Sequence, residues 1–185
     1  MRIANPPASG IEGIALRQIE TGDCEAWFDY LRLPEVFEHT SWNLRSVTDL
    51  RGTLESCLQE GPTSQMRMAV IEKSAGRLIG TIGLHTLSEV NRSAEIAYDF
   101  APTHWGRGLA TRLCETVTSW SFDALNLHRL QATVLVGNQR SEHVLARCGF
   151  RQEGLLRGYR MVRGQPGDFR IFSRLSTDDA GENER

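Results

Sequence analysis

The chain has 185 residues, a length that suits one domain, with 40% apolar and 24% charged residues, which is ordinary globular composition. That composition excludes collagen-like, coiled-coil and wholly disordered chains. Twenty-one basic residues against 23 acidic ones give a net charge of -2, and so weak a field does not hold nucleic acid or an anionic membrane non-specifically.

The spacing of apolar residues predicts alternating strands and helices. In chain order we expect a strand at Ile14–Ile19, a helix from Thr21 to Arg32, a helix that starts at Val47 and is stopped by Gly61-Pro62, strands at Met66–Glu72, Leu78–Leu87 and Ser93–Phe100, a helix at Arg107–Leu125, a strand at Leu130–Val136, a helix at Gln139–Arg147, and strands at Arg151–Tyr159 and Phe169–Leu175. Antiparallel strands followed by a β-α-β unit indicate one mixed α/β sheet.

One domain is expected at 13–175, between a flexible N-terminus at 1–12 and a disordered acidic tail at 176–185. The first residues lack the apolar core of a secretory signal, and no run of 18 apolar residues occurs. The four cysteines have no metal or redox spacing, which favours free thiols in a reducing compartment. We therefore expect a cytoplasmic protein with no metal, membrane or nucleic-acid partner.

The segment from Phe100 to Thr111, FAPTHWGRGLAT, predicts an anion-binding turn. It joins a strand to a long helix whose first N–H groups lack internal partners and carry partial positive charge. Gly106 and Gly108 let a phosphate approach the backbone, and Arg107 adds a full charge. The string is neither a P-loop nor a dinucleotide fingerprint. A tight strand-to-helix connection without a ligand is the structural alternative.

The string from Ala94 to Thr111, AEIAYDFAPTHWGRGLAT, resembles the acetyl-CoA signature of the GNAT superfamily of N-acetyltransferases. NQRS from Asn138, ARCGF, EGLLR, and then Gly164 and Asp168 ahead of the last strand match the RimJ/RimL type, which acetylates the N-termini of ribosomal proteins. The resemblance covers nearly all of 14–175. Trp105 stands where the family commonly has Gln or Arg, and Ala97 replaces the commoner Gly, adding a methyl group that narrows the acceptor slot.

The resemblance implies a GNAT fold, with a mixed, mostly antiparallel sheet whose fourth and fifth strands splay apart around acetyl-CoA. Backbone groups of Phe100 and Ala101 would pair with the pantetheine, and the N–H groups from Arg107 to Thr111 would hold the diphosphate. Asn138 would bind the pantetheine or cap its helix. The implied acetyl-CoA-binding residues are Phe100, Ala101, Trp105, Gly106, Arg107, Gly108, Leu109, Ala110, Thr111 and Asn138.

The attacking amine must lose a proton, and the resemblance makes Glu95 the first candidate to receive it, through water. A structural ion pair is the other interpretation of Glu95. His85 is the second candidate base, and water alone is the third. Asp99 shares the Glu95 face of its strand, but it lies nearer the phosphate turn, where a negative charge would repel CoA.

The departing sulfur needs a proton donor, and in the RimJ/RimL type that position falls on Ser141. A serine in the first helical turn can instead satisfy backbone N–H groups. Tyr159 is the substitute donor. Trp42, flanked by polar residues, and His85 are the candidate acceptor-binding residues, whereas Trp27 is expected in the core.

Two functions of different class remain. The first is an acetyl-CoA-dependent N-acetyltransferase whose acceptor is a protein N-terminus, such as that of a ribosomal protein, or a small amine. The second is a non-catalytic acyl-CoA sensor or interaction module on the same fold, against which the presence of both Glu95 and Ser141 argues. An RNA-binding role is disfavoured by the charge balance. A homodimer is the state that the resemblance implies.

Overall fold

The computed structural model describes residue 3, residues 5–59 and residues 65–178. Within them the chain forms seven strands and five helices, in the order β1 (Ile14–Gln18), α1 (Cys24–Leu31), α2 (Pro34–Phe37), α3 (Val47–Leu58), β2 (Met66–Glu72), β3 (Arg77–Ser88), β4 (Ser93–Phe100), α4 (Leu109–Leu125), β5 (Arg129–Leu135), α5 (Gln139–Arg147), β6 (Arg151–Val162) and β7 (Gln165–Leu175). Short 3₁₀ turns precede α1 and α4.

The strands make a single sheet in the order β1-β2-β3-β4-β5-β7-β6. Every neighbouring pair is antiparallel except β4 and β5, which run parallel. Their pairing stops at Glu95, which faces Gln131, so β4 and β5 separate over the rest of their length. This confirms the mixed sheet and the splayed fourth and fifth strands that the resemblance implies.

Helices cover both faces of the sheet. Alternate residues of β2 point to opposite sides, with Met68 in one apolar cluster and Ala69 in the other. The first cluster contains the buried stripe of α4 and Leu145 of α5, and the second contains Trp27 of α1 and residues of α3. Trp27 is fully buried, as expected. These two layers hold the open edges of β4 and β5 in fixed positions.

Several boundaries differ from the sequence predictions. The helix expected from Arg107 begins at Leu109, because Gly108, at a φ of 71°, is its N-cap. Strands β6 and β7 are longer than expected and join through Arg163 and Gly164, whose φ values of 51° and 82° make a two-residue turn. Helix α2 was not predicted. The expected helix stop at Gly61-Pro62 lies outside the described residues.

The N-terminal residues make specific contacts. Ile3 is buried, and its N–H donates to Gln18 Oε1 at 2.8 Å. The Ser9 hydroxyl donates to the Ile14 carbonyl at 2.8 Å, and Arg112 of α4 donates to the Gly10 carbonyl at 2.9 Å. These contacts do not test the flexibility expected for residues 1–12, which stays a prediction. Of the predicted tail, residues 176–178 form a turn, and 179–185 lie outside the described part of the chain.

Candidate active site

The N-terminus of α4 opens onto a cavity of about 370 Å³. Gly106 and Gly108 have positive φ values of 74° and 71°, and a methyl group on either would meet no atom within 4 Å. The N–H groups of Leu109, Ala110 and Thr111 occupy the first helical turn, where no internal carbonyl can accept them. Open space beside unpaired donors and the positive end of a helix dipole fits a diphosphate.

Helix α5 forms the facing wall with two arginines and a histidine that were not predicted from the sequence. Arg140, His143 and Arg147 line this cavity. The Arg140 guanidinium carbon lies 4.3 Å from the centre of the Trp105 ring. The spacing of three and four residues that puts these side chains on one helix face was visible in the sequence. It became informative only when the fold placed that face opposite α4.

Two of the residues expected to bind acetyl-CoA line neither cavity. Arg107 is exposed and lines neither cavity, because the left-handed turn at Gly106 and Gly108 directs it outward. Ala101 also lines neither cavity, and its N–H donates to the Ile79 carbonyl at 2.9 Å. The Phe100 carbonyl accepts the Trp105 indole N–H at 2.8 Å, which holds the ring in place.

A second cavity, of about 470 Å³, lies on the other side of the opening between β4 and β5. We call it the acceptor cavity and the first one the acetyl-CoA cavity, after the ligands that the resemblance implies for them. Tyr98, Asn138 and Ser141 line both, so the two cavities meet at the opening. A molecule entering from the α4 side and one entering from the other side would therefore approach each other between the splayed strands.

Asn138, rather than Ser141, is the N-cap of α5. The Asn138 Oδ1 accepts the Ser141 N–H at 3.1 Å, and its Nδ2 donates to the His39 carbonyl at 3.2 Å. The Ser141 hydroxyl is not used as the cap and interacts instead with the Tyr98 hydroxyl. Asn138 therefore has the capping role that was the alternative interpretation of Ser141. Ser141 itself lies at the opening, where it lines both cavities.

Tyr98 is a further polar group at the opening that the sequence analysis assigned to no site. Its hydroxyl donates to the Ser141 carbonyl at 3.3 Å. Burial raises the pKa of Tyr98 well above its ordinary value, so the hydroxyl keeps its proton near neutral pH. Strand alternation puts Tyr98 with the core residues Ile96 and Phe100, and only the separation of β4 from β5 exposes it.

Glu95 is the buried carboxylate of the acceptor cavity and is only 3% exposed. Its Oε1 accepts the Thr133 hydroxyl at 2.5 Å and the Arg160 Nη2 at 3.0 Å. His85 Nε2 lies 3.8 Å from the same oxygen. Burial lowers the pKa of His85 although Glu95 opposes that shift, so its imidazole is neutral near pH 7 and able to accept a proton.

Asp99 lines both cavities, but four side chains donate to its carboxylate. Its Oδ2 accepts Arg67 Nη2 at 2.6 Å, and its Oδ1 accepts the Trp27 indole N–H at 3.0 Å. The hydroxyls of Tyr30 and Thr81 also donate to it. Arg67 pairs with Asp99 within the protein, so repulsion of CoA is not the reason to set Asp99 aside as a base. The reason is that both of its carboxylate oxygens already accept hydrogen bonds.

Trp42 lies in the wall of the acceptor cavity, edge-on to Trp27 with ring centroids 6.1 Å apart. His85 lines the same cavity. Tyr159, the substitute donor, lines neither cavity, and its ring packs on Phe169 at 5.8 Å. Tyr98, whose hydroxyl donates to the Ser141 carbonyl, is the phenol that the structure places beside Ser141.

Comparison with known proteins gives the family. The Acetyltransferase (GNAT) domain family matches residues 14–151. The uncharacterised N-acetyltransferase YoaA of Bacillus subtilis is 34% identical over 171 residues, which cover 90% of this chain and 96% of that protein. The ribosomal-protein-serine acetyltransferase of Escherichia coli is 25% identical over 132 residues, covering 71% and 73%.

A solved structure, spermidine N-acetyltransferase from Vibrio cholerae in complex with CoA and spermine, superposes with a TM-score of 0.78 at 26% identity, covering 90% of this chain and 98% of that one. The chain belongs to the GNAT acetyltransferases. It is an N-acetyltransferase whose acetyl donor is acetyl-CoA. The described residues contain no group of His, Cys, Asp or Glu that could hold a metal ion. None of their helices has the length and apolar character needed to cross a membrane.

Proposed function

We propose that this enzyme transfers the acetyl group to a primary amine by direct attack in the opening between β4 and β5. The observation that carries the proposal is the meeting of the two cavities at Tyr98, Asn138 and Ser141. Acetyl-CoA supplies an activated acetyl thioester. The chain supplies the walls that bring the amine to it and the groups that manage protons.

The free N–H groups of Leu109, Ala110 and Thr111 bind the diphosphate in this proposal, and Gly106 and Gly108 leave room for it. Trp105, held by the Phe100 carbonyl and covered by Arg140, forms one wall of the same cavity. Asn138 keeps its capping role, and its carbonyl oxygen and amide are both used within the protein. Its contribution is to fix the start of α5 and hence Ser141.

The pair of Glu95 and His85 receives the proton of the attacking amine through water, and the imidazole is the group that binds it. The neutral imidazole has the capacity to accept it, and Glu95, 3.8 Å away, stabilises the cation that results. Arg160 and Thr133 hold the carboxylate toward the cavity. The Ser141 hydroxyl donates a hydrogen bond to the departing sulfur, with the Tyr98 hydroxyl next to it.

The charges of the acceptor cavity favour a single amine over a polyamine. Its two carboxylates, Glu95 and Asp99, each face an arginine, Arg160 and Arg67, and all four residues line the cavity. A polyamine requires several unbalanced negative charges, which the described lining residues do not supply. We therefore place a protein N-terminus, as in the RimJ/RimL type, ahead of spermidine, with other small monoamines as the remaining acceptors. Trp42 forms a wall beside that amine.

A thiol-release assay with acetyl-CoA tests this function. The acceptors are a short peptide with a free N-terminus, the same peptide with a blocked N-terminus, an unbranched monoamine and spermidine. We expect CoA release with the free peptide or the monoamine, little with spermidine, and none above background with the blocked peptide. Release with spermidine alone would refute the monoamine preference. No amine-dependent release would instead support the acyl-CoA sensor.

A cytoplasmic location and a homodimer also remain proposals. The free, buried state of the described cysteines is what a reducing compartment favours.

A further inference from the structure

The chain between α2 and α3 forms part of both cavities without regular secondary structure. Residues 38–42, here called the shared-wall segment, include His39 and Thr40, which line both cavities, and Trp42, which lines the acceptor cavity. Irregular backbone keeps its shape only when its polar groups find partners. The shape of both cavities therefore depends on what holds this segment.

Beside local backbone hydrogen bonds, the segment receives three hydrogen bonds from Arg163, in a distant part of the sequence. Its Nη1 donates to the Phe37 carbonyl at 3.1 Å and to the Thr40 carbonyl at 3.2 Å, and its Nη2 donates to the Glu38 carbonyl at 3.3 Å. Its guanidinium carbon lies 5.2 Å from the centre of the Phe37 ring. Asn138 donates to the His39 carbonyl. Four consecutive carbonyls, from residue 37 to residue 40, are thus held by two side chains.

The turn that carries Arg163 is built to present it. Arg163 occupies the first of the two positive-φ positions between β6 and β7, at 51°, a conformation that costs energy for a residue other than glycine. Val162 pairs with Gln165 on either side, so the turn is fixed by the strand register. The planar fork of an arginine can reach several carbonyls at once, whereas a lysine ammonium is a single point charge.

We propose that Arg163 is a positioning residue that fixes the shared-wall segment and thereby sets the affinity for the acceptor amine. This inference rests on the proposed function and deepens it. Arg163 touches neither cavity and so acts through the segment. Because its side chain lies at the surface, its loss removes hydrogen bonds without leaving a buried charge. The protein should still fold, while the shared-wall segment should become more mobile.

Three variants test the inference. Arg163→Ala removes the fork, Arg163→Lys keeps the charge without the fork, and Arg157→Ala is the matched control. Arg157 is an exposed arginine of β6, the strand that leads into the turn, and among residues 3, 5–59 and 65–178 its side chain shows no hydrogen bond or ion pair. Each variant is measured by hydrogen exchange of peptides spanning 36–46, by thermal unfolding, and by steady-state kinetics with acetyl-CoA and the free-N-terminus peptide.

We expect Arg163→Ala to speed exchange in 36–46 and to raise the KM of the peptide about 10- to 100-fold, a range typical of small misplacements near a reacting centre. The change in kcat and in Tm should be smaller, and Arg163→Lys should recover part of the loss. Arg157→Ala should match the wild type in every measurement. A purely structural role would lower Tm without changing the ratio of KM to kcat.

Unchanged exchange in 36–46, or an unchanged peptide KM, would overturn the inference. Equal effects of Arg157→Ala would also overturn it, since they would indicate a general effect of surface charge. Failure of the proposed function is recognised separately, because the wild type would then release no CoA with any amine. In that case the exchange of 36–46 alone decides whether Arg163 positions the segment.

Discussion

Two carboxylates on β4, Glu95 and Asp99, lie four residues apart on one face of the strand, and their surroundings differ in kind. Each faces an arginine, at 3.0 Å for Arg160 and 2.6 Å for Arg67. The side chain of Arg67 is 7% exposed, whereas that of Arg160 is 35% exposed. The first pair is part of the interior, and the second has one member in contact with solvent.

Asp99 also has more hydrogen-bond donors than Glu95. Asp99 accepts from one arginine and from three further side chains that belong to α1 and β3. Glu95 accepts from Arg160 and Thr133, with His85 close by, in a cavity that connects to the acetyl-CoA side. A carboxylate whose oxygens are all occupied holds elements together. A buried carboxylate that lies next to a neutral imidazole and a partly exposed arginine can take part in proton transfer.

The largest effect predicted from this contrast is on stability. Asp99→Asn would leave the Arg67 guanidinium buried without a counter-charge, and breaking a buried ion pair costs about 3–5 kcal/mol. We expect urea unfolding to show a loss of that size. The matched control is Glu95→Gln, whose partner Arg160 can turn toward water and whose unfolding midpoint should stay near that of the wild type. Equal midpoints for the two variants would contradict the contrast.

The same division between structural and chemical roles recurs at the start of α5, where it predicts the next largest effect. Ser141→Ala should lower kcat and kcat/KM together by roughly 10- to 100-fold, about 1.4–2.7 kcal/mol, because the hydroxyl acts only as the bond to sulfur breaks. Stability should be unchanged, since Asn138 caps the helix.

Asn138→Ala is the control for Ser141→Ala, because it should lower the free energy of unfolding by about 1 kcal/mol through loss of the cap. Kinetics and urea unfolding are measured on the same preparations. A normal kcat in Ser141→Ala would remove Ser141 from the mechanism and leave the donor role to Tyr98 or water.

A third arginine–carboxylate pair, at the surface, predicts the smallest effect. Arg129 and Ser173 lower the pKa of Glu153 from 4.5 to about 2. A carboxyl group with a lowered pKa adds stability above its unfolded pKa and loses it as pH falls toward the folded value. The Glu153 side chain is 41% exposed, so its contribution is below about 1 kcal/mol.

Wild type and Glu153→Gln should therefore differ slightly in urea midpoint at pH 6, and the difference should shrink as pH falls from 4.5 toward 2. A difference that stays constant with pH would mean that the Arg129–Glu153 pair contributes through packing rather than charge.

The order of the main strands and helices could be predicted from the sequence, and β2, β4 and α5 have the predicted bounds. Periodicity fixes such elements because each buries one side along its length. Helix α2 has four residues, too few to show a period. The Arg163–Gly164 turn could not be located because neither strand beside it alternates clearly near its end.

The sequence could predict which residues belong to the site, but not which side chains those residues contact. Glu95, Ser141 and the turn before α4 follow from a local pattern that resembles a family signature. The pairing of Asp99 with Arg67 joins residues 32 apart, and the contact of Arg163 with Glu38 joins residues 125 apart. Such contacts depend on how strands and loops come together, which local pattern does not encode. Which carboxylate is structural was therefore decided only by the fold.

The central claim is that Glu95, with His85, receives the amine proton, and the pH dependence of kcat in Glu95→Gln tests it most directly. General-base effects amount to 10²–10⁴-fold, and that loss should appear where the acceptor amine is still protonated. It should shrink as pH rises, because the free amine is then already present. The measurement compares wild type and Glu95→Gln with one acceptor across the amine's titration. A loss of the same size at every pH would contradict the account and would make Glu95 a structural carboxylate like Asp99.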